Sequence, residues 1–318
     1  ENTLDRVKKM AQWNRVPLID YIELIGGGTP KTTVPEYWNG NIPWLSVKDF
    51  NNDKRYVYST EKHISQSGFE NSPTKMLHKD DIIISARGTV GEIAMIPFDM
   101  AFNQSCYGIR ASRGIDQPFL YYLLKNCISQ LKRMTHGSVF DTITRDTFAN
   151  IDVDIPDAET QKRISSVLAD IDNKIEVNDA INDNLQQQAQ AIYSSMFIDN
   201  PDPSWTHGHL SDLITVKYGK DHKKLADGIY PVYGSGGIMR YVERPLYNKE
   251  SVLIPRKGTL NNVMYVNQPF WSVDTMFYTE MKLPNVAKFV YHFVKAKDLA
   301  SMNAGSAVPS MTTDILNA

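Results

Sequence analysis

Short apolar runs and helical patterns occur twice along the chain, in the same order. Residues 82–84 and 252–254 are runs of Ile, Leu and Val followed by turn residues, a pattern typical of buried strands. Residues 119–130 and 287–300 carry apolar side chains at helical spacing, so each predicts an amphipathic helix. The pattern indicates two mostly β regions with one such helix each.

Four sequence blocks are shared by the two regions, at offsets of 168 to 192 residues. Because four blocks in one order exceed chance similarity, we interpret the chain as an internal duplication. In the second block, Arg87-Gly88-Thr89 corresponds to Lys257-Gly258-Thr259, a tight turn in each copy. The blocks begin at Trp13 and Trp205, Ile82 and Val252, Phe119 and Phe289, and Gly137 and Gly305.

The segment between the two regions has a different pattern. Residues 157–197 contain neither Pro nor Gly, and their apolar residues recur at heptad a and d positions, which predicts a long coiled-coil-forming helix. Asn178 and Asn182 take central a and d positions, where Asn fixes register and partner orientation. A long amphipathic helix packed on its own domain is the alternative. The predicted helix-packing interface consists of Ile164, Leu168, Ile171, Ile175, Asn178, Asn182, Leu185 and Ile192, with Ala189 and Met196 in the same frame.

These patterns predict an α+β protein with three parts. Residues 1–155 and 200–318 form two tandem β-rich domains, and residues 156–199 form the helical spacer that joins them. The second region as given ends opposite about Asn150 of the first, so we expect the counterpart of the spacer helix to be missing from this chain.

Composition sets limits on the class of protein. Hydrophobic residues make up 42% and charged residues 22%, as in globular proteins, and 318 residues predict two domains. There is no apolar run of about 18 residues and no apolar signal segment, so we expect no membrane span and no secretion. Cys106 and Cys127 lack metal-ligand spacing and predict free thiols in the cytoplasm.

The charge of the chain permits DNA binding without requiring it. The net charge is −2, but residues 157–199 carry −5, residues 200–318 carry +3 and residues 1–156 are neutral. The net negative charge is therefore concentrated in the predicted helix. DNA binding would depend on local basic patches, or on a basic partner that supplies phosphate contacts.

The sequence contains no recognisable catalytic motif. Gly219-Lys220 lacks the upstream Gly and the following Ser or Thr of a P-loop, and no Asn/Asp-Pro-Pro-Tyr/Phe methyltransferase motif occurs. Asp157 and Glu159 hint at a nuclease carboxylate pair, but they are better explained as acidic residues at a helix start. Seven scattered His residues offer no ligand spacing for a metal. We expect no catalytic residue, metal or cofactor in this chain.

An ordered set of motifs covers nearly the whole sequence. They are residues 26–30 (GGGTP), 42–46 (IPWLS), 81–91 (DIIISARGTVG), 103–106 (NQSC), 161–164 (QKRI), 233–237 (YGSGG) and 257–259 (KGT). This set resembles the specificity subunit of Type I restriction–modification systems. In that family each repeat is a target recognition domain that reads one half of a split DNA site, and conserved helices pack antiparallel between the two domains.

The resemblance implies a set of partners. They are double-stranded DNA, modification (methyltransferase) subunits that bind S-adenosylmethionine, and a restriction subunit that uses ATP and Mg²⁺. The helix would set the gap between half-sites and dock the modification subunits. This chain departs from the family pattern where the second conserved helix is missing, so we expect a shortened subunit or one that regains the helix by self-association through the heptad positions.

The resemblance makes polar and basic turn residues candidate DNA contacts, because such groups hold phosphates and, when rigidly held, read base edges. Structural roles are the alternatives: a connector at residues 26–28, solvated charges at Arg87 and Lys257, and strand edges or helix caps for the Ser and Thr clusters. The candidates are Gly27, Gly28, Thr29, Lys31, Lys48, Arg87, Thr89, Asn103, Gln104, His136, Ser138, Thr142, Thr144, Lys217, Lys220, Tyr233, Ser235, Arg256, Lys257, Thr259, Ser306, Ser310 and Thr312.

Two rival functions stay open. An assembly scaffold whose repeats no longer read DNA is favoured by the acidic balance, and it predicts oligomers without sequence preference. A recognition half split from a fused restriction–methylation enzyme requires catalytic motifs outside this chain. The leading prediction is a DNA-recognition subunit that does no chemistry itself.

Overall fold

A computed structural model of the protein describes residues 13–135, 142–302 and 310–317. The chain divides into two compact units, residues 1–180 (unit 1) and residues 181–318 (unit 2). One long helix begins in unit 1 and ends in unit 2.

Unit 1 is built mainly of short strands. They are β1 (Asn14–Pro17), β2 (Ile22–Gly26), β3 (Trp38–Leu45), β4 (Lys62–Ile64), β5 (Met76–Leu77), β6 (Ile82–Ser85), β7 (Ile93–Met95), β8 (Met100–Phe102), β9 (Cys106–Ala111) and β10 (Asp152–Ile155). The helices that begin in unit 1 are α1 (Val47–Phe50), α2 (Gln66–Glu70), α3 (Gln117–Thr135), α4 (Arg145–Ala149) and α5 (Ala158–Ser194), and 3-10 turns lie at Leu18–Tyr21 and Pro35–Tyr37.

Two sheets form the framework of unit 1. The first is antiparallel with strand order β2-β9-β6-β7, and the second has the order β4-β3-β8-β5 with a parallel β3–β8 pair. Ile82 and Ile84 of β6 pack into a core that includes α3, whereas Ile83 packs into the core beside the second sheet. Successive residues of a strand face opposite sides, so a continuous apolar run is what a strand between two cores requires.

Unit 2 has the same kind of elements. Its strands are β11 (Ile214–Tyr218), β12 (Asp227–Gly234), β13 (Gly237–Val242), β14 (Ser251–Pro255), β15 (Met264–Val266), β16 (Trp271–Ser272) and β17 (Met276–Met281). Its further helices are α6 (Leu210–Leu213), α7 (Ala287–Lys295) and α8 (Thr313–Asn317).

The framework of unit 2 repeats that of unit 1. The order β11-β17-β14-β15 matches β2-β9-β6-β7, and the parallel pair β12–β16 matches β3–β8. Leu253 takes the place of Ile83, while Val252 and Ile254 pack toward α7. Among the described residues of unit 2, strand β5 has no counterpart. The duplication predicted from the sequence is therefore visible in the strand order.

The two predicted domain helices are present with different bounds. Helix α3 runs from Gln117 to Thr135 and is longer than predicted, whereas α7 ends at Lys295 rather than at residue 300. The chain turns away after α7, where the Asn261 side-chain amide donates to Asp298 Oδ1 at 3.1 Å. This contact holds residues beyond the helix in a non-helical path, so the prediction of helix to residue 300 was too long.

The start of α5 is capped by its preceding residue. The Thr160 amide and hydroxyl each donate to the Asp157 carboxylate at 2.9 Å. These two hydrogen bonds hold the pKa of Asp157 below its ordinary value, and the bond from the amide has the larger effect. The helix continues to Ser194, and one turn of π-helix follows at Ser195–Asp199. Asp157 thus has the helix-start role that the sequence indicated.

Replacing Asp157 by Ala is expected to lower the free energy of unfolding at neutral pH, because the first turn of α5 loses its cap. The pKa of Asp157 is lowered in the folded state, so its contribution is present above the unfolded value of about 3.9 and is lost as pH falls through the folded pKa. Urea unfolding at pH 7 and pH 3 measures this loss. Asp157→Asn is the control, since Asn caps without titrating, and an Ala variant equal to the parent at both pH values contradicts the assignment.

Candidate nucleic-acid interface

Several strands of unit 1 end along one side of the unit. Gly26 at the end of β2 pairs with Tyr107 at the start of β9, and Ser85 at the end of β6 pairs with Cys106. The segments that follow β2 and β6 therefore lie beside the segment that precedes β9. We call this surface loop edge 1, which comprises residues 27–31, 46–49, 86–89, 103–105 and 142–144.

Backbone hydrogen bonds fix the segments of loop edge 1 to one another. The Gly28 amide donates to Phe102 O at 3.0 Å, Asn103 N donates to Leu45 O at 3.0 Å, and Arg87 N donates to Ser105 O at 3.2 Å. A Cβ atom at Gly27 would clash with the backbone of Asn103, so Gly is required for this close approach. The loops form a bonded framework, which presents side chains in fixed positions.

Polar side chains project from this framework. Arg87 and Thr89 are exposed around Gly88, which has a φ of 77°. Gln104 is exposed, and its side-chain oxygen accepts a hydrogen bond from the Thr29 hydroxyl. Exposed Lys31 and Lys48 also lie here, and Lys48 Nζ is 4.0 Å from Glu61. Basic, amide and hydroxyl groups are the types that contact phosphates and base edges.

Unit 2 carries an equivalent surface, loop edge 2, which comprises residues 219–221, 235–237, 256–259, 273–275 and 310–312. Lys220 N donates to Ser272 O at 2.8 Å, Val273 N to Tyr233 O at 3.1 Å, and Lys257 N to Thr275 O at 3.1 Å. Each bond repeats one of loop edge 1. Isolated bridges join Arg87 to Thr142 and, in the second copy, Lys257 to Ser310. Exposed side chains of this surface are Lys220, Lys257, Thr259 and Thr312, and the half-buried Ser235 lies against Gly258.

Arg256 of loop edge 2 is held over an exposed aromatic ring. Its guanidinium carbon is 5.4 Å from the ring centroid of Tyr218, and its Nη1 donates to the Asp274 carbonyl oxygen at 3.0 Å. Tyr218 was not a sequence candidate, and neither was Asp274. The offset of 170 residues between Arg87 and Lys257 would have aligned Asp274 with the candidate Gln104.

Other candidate side chains have structural contacts. Lys217 lies within β11, with its Nζ 3.7 Å from Glu280, and Tyr233 packs its ring against Phe270. Asn103 accepts from the Ser105 amide at 3.0 Å, and the Thr144 hydroxyl caps α4. The candidates His136, Ser138 and Ser306 lie outside the described residues.

One face of α5 packs on unit 1 through polar contacts. Gln161 Oε1 accepts from the Asp116 amide at 2.8 Å, and the Tyr122 hydroxyl donates to Asp172 at 2.8 Å. Burial is the main reason that the pKa of Tyr122 is raised, and the hydrogen bond to Asp172 raises it further. Tyr58 donates to Glu176 further along the same face. These bonds fix the first half of α5 to unit 1.

The end of α5 packs on unit 2 through aromatic contacts. Tyr193 is buried, with its ring centroid 5.6 Å from that of Phe289, and its ring stacks on His292 at 5.7 Å. Gln190 Oε1 lies 3.0 Å from Nδ1 of the same His292. The second half of α5 is therefore fixed to unit 2 as the first half is to unit 1.

A separate face of α5 exposes the predicted heptad residues. Ile164 and Leu168 are half-buried against unit 1. The alternative interpretation, a helix whose heptad residues pack on its own domain, therefore applies only to the start of α5. From Ile171 onward the large apolar side chains are more than half exposed, and Asn178 and Asn182 are exposed between them. We call this surface the apolar stripe. Its large exposed members are Ile171 (52%), Ile175 (53%), Leu185 (56%) and Ile192 (61%) on α5, and Met196 (54%) in the π-helical turn that follows.

A cleft of about 670 Å³ adjoins the stripe in unit 2, between α5 and α7. Leu185 and Ala189 line it on one side, and Tyr291, Lys288 and Lys295 line it on the other. It is an apolar groove with basic groups at its border. Across residues 13–135, 142–302 and 310–317, no helix has the length and apolarity of a membrane span, and no group of three or more His, Cys, Asp or Glu residues is placed to bind a metal.

Comparison with known proteins identifies the family. The family model described as "Type I restriction modification DNA specificity domain" matches residues 10–187 and 203–318. The chain belongs to this family. The two matches fall on the two repeats, so the specificity-domain resemblance and the tandem α+β fold predicted from the sequence are confirmed.

Curated relatives of this specificity-domain protein carry the same family name. The Type I restriction enzyme MjaIX specificity subunit of Methanocaldococcus jannaschii is 29% identical over 202 residues, which are 63% of this chain and 46% of the relative. The EcoprrI specificity subunit of Escherichia coli is 23% identical over 337 residues, covering 98% of this chain and 82% of the relative. The chain thus matches less than half of the first relative's length and most of the second's.

A solved structure supports the fold. The S subunit of a Type I restriction–modification system from M. genitalium superposes with a TM-score of 0.58 at 17% identity, covering 96% of this chain and 83% of that chain. At this identity the similarity concerns the fold alone.

Proposed function

We propose that this chain is the DNA-recognition subunit of a Type I restriction–modification enzyme, in which loop edge 1 and loop edge 2 each read one half of a split DNA site. The observation that carries the proposal is the duplicated bonded framework, which holds different exposed side chains in the two units. Rigidly held side chains that differ between two copies fit a protein that reads two different short sequences. The family membership points the same way.

The chemistry of restriction and modification belongs to partner subunits in this proposal. A modification subunit binds S-adenosylmethionine and flips the target base while this chain holds the flanking sequence. A restriction subunit supplies ATP- and Mg²⁺-dependent functions. The chain itself contributes recognition and spacing in the cytoplasm, where its DNA substrate lies.

The apolar stripe is proposed to pair with a second, antiparallel helix from another copy of this chain. In an antiparallel pair centred on residue 180, Asn178 meets Asn182 of the second copy, and Ile175 meets Leu185. Ile171 then meets Ala189, so the polar pair and the apolar pairs coincide without mismatch. Matched Asn positions favour this register, because a buried Asn beside an apolar side chain leaves its amide unpaired.

Charge complementarity supports the same pairing. In this register, residues 170–178 of the second copy lie opposite residues 182–190, beside the cleft that Lys288 and Lys295 border. The second copy brings the exposed Asp170 with this segment. An acidic group near basic groups favours the antiparallel orientation over the parallel one.

Selection from a random duplex library tests the proposed function. The purified chain, alone and reconstituted with the modification subunit of its own system, is used at fixed salt because affinity depends on salt. Recovery of a motif with two short fixed halves separated by a constant gap is the expected result. Salt-sensitive binding without sequence preference would refute the reader and favour the assembly scaffold.

Arg87→Ala and Lys257→Ala are each expected to weaken DNA binding about equally across sequences and to reduce the salt-dependence slope by about one, as loss of one phosphate contact does. Binding titrations over a salt series measure both effects. Arg113→Ala is the matched control, since Arg113 follows the opposite end of β9 and pairs with Asp20 at 3.6 Å. Slopes unchanged from the parent would remove both residues from the interface.

A further inference from the structure

The turn between β8 and β9 and the turn between β16 and β17 lie at the centre of the two loop edges. In unit 1, Ser105 O accepts from the amides of Ala86 and Arg87, and in unit 2 Thr275 O accepts from those of Arg256 and Lys257. A Cβ atom at Gly27 would clash with Asn103 O, and one at Gly219 would clash with Val273 O. Each turn is thus held in the same way, by hydrogen bonds and close backbone contacts from its neighbouring loops.

The middle residue of each turn points outward and differs in chemistry. Gln104 in unit 1 and Asp274 in unit 2 are both exposed. The Gln104 amide is oriented by the Thr29 hydroxyl. The backbone of Asp274 is held by Arg256 Nη1 through its carbonyl oxygen, and the residue is exposed. The backbone framework of the turn is the same in both units, and the exposed side chain at its middle differs between them.

A carboxylate at the centre of a DNA-facing surface needs a specific explanation, because phosphates repel it and it lowers non-specific affinity. In the usual base contacts of proteins, a carboxylate accepts a hydrogen bond from the N4 amino group of cytosine. The amide of Gln matches adenine, since it accepts from N6 and donates to N7 in a bidentate pair. The same position in two copies therefore carries two side chains that fit two different bases.

We propose that residues 104 and 274 are equivalent base-reading positions, and that Gln104 reads an adenine in one half-site while Asp274 reads a cytosine in the other. This inference rests on the proposed function and deepens it. It predicts that one position of each half-site depends on one side chain, and that the two dependences are independent.

The test is library selection with the parent chain and with the variants Asp274→Ala, Asp274→Gln and Gln104→Ala, each reconstituted as the parent is. Asp274→Ala is expected to reduce preference for cytosine at one position of one half-site by about tenfold, within the range of a good base contact, and to leave the other half-site unchanged. Asp274→Gln is expected to shift that position toward adenine. Gln104→Ala is expected to flatten one position of the other half-site only.

Glu243→Ala is the control for the effect of removing one negative charge from unit 2. Glu243 is exposed in unit 2 just after β13, at the opposite end of the β12–β13 hairpin from loop edge 2. Its loss is expected to raise affinity slightly for all sequences without changing the motif. Circular dichroism and thermal unfolding check that each variant folds.

The possible outcomes separate the two proposals. A parent motif that Asp274→Ala leaves unchanged would overturn the base-reading role of residue 274 while the DNA-recognition function stands. A parent without any motif would overturn the recognition function and this inference with it. A motif altered in the same way by Asp274→Ala and Glu243→Ala would reduce the role of Asp274 to charge.

Discussion

Replacing Ile171, Ile175 and Leu185 by Ser is expected to weaken self-association of the chain by at least about a hundredfold while leaving the chain folded. All three side chains are more than half exposed in the single chain, so the substitutions remove little buried surface from the fold. In the antiparallel pair each becomes buried, and each lost apolar side chain costs about 1 kcal/mol or more of association energy. A total of about 3 kcal/mol already corresponds to roughly a hundredfold.

Sedimentation equilibrium over a concentration series measures the dissociation constants of parent and variant. Val177→Ser is the matched control, because Val177 is 56% exposed on α5 but lies outside the heptad positions of the apolar stripe. The control is expected to associate like the parent. A parent that stays monomeric throughout the series would refute self-association, and equal weakening by control and triple variant would show that the stripe is not the contact.

One strand of the first sheet in each unit was accessible from the sequence, because a continuous apolar run is a local pattern. The run of Ile82 to Ile84 and its copy at 252–254 are apolar at every position, which marks strands that lie between two cores. Once one such run is placed, the repeat places the other. The candidate turns at Arg87 and Lys257 followed from the same runs, since they come directly after them.

The second sheets were not accessible in this way. The parallel pairs β3–β8 and β12–β16 join strands that are far apart in sequence, and β16 is only two residues long. No local periodicity marks such pairs. Residues 233–237, one of the motifs that carry the family resemblance, form the tight end of the β12–β13 hairpin, where Gly234 pairs with Gly237.

The role of single side chains was the least predictable part of the candidate interface. Lys217 and Tyr233 had suitable chemistry, but an ion pair with Glu280 and ring packing on Phe270 engage them. Asp274 was not among the sequence candidates, and an acidic residue is disfavoured beside phosphates when charge is considered alone. Its position became informative only because the β16–β17 turn that contains it has the same backbone hydrogen bonds as the β8–β9 turn that contains Gln104.

Inserting seven residues into α5, by duplicating residues 178–184, is expected to lengthen the preferred gap between the half-sites by about three base pairs without altering either half. The insertion adds about 10.5 Å of helix at 1.5 Å per residue, and DNA rises about 3.4 Å per base pair. The inserted segment lies between the parts of α5 that are bonded to unit 1 through Gln161 and to unit 2 through Tyr193. Both loop edges should therefore keep their structure.

The same insertion is expected to weaken binding as well as to move the optimum. A heptad rotates the helix by only about 20° relative to its starting face, whereas three base pairs rotate the DNA by about 100° at 10 to 10.5 base pairs per turn. One loop edge must then twist relative to its half-site, so the best longer gap should bind less tightly than the parent's own.

Seven residues inserted after Pro201, beyond the end of α5, supply the control of equal length. Library selection with both insertions decides the matter: an unchanged gap with altered half-sites would refute α5 as the ruler, and an equal shift from both insertions would assign the spacing to chain length instead.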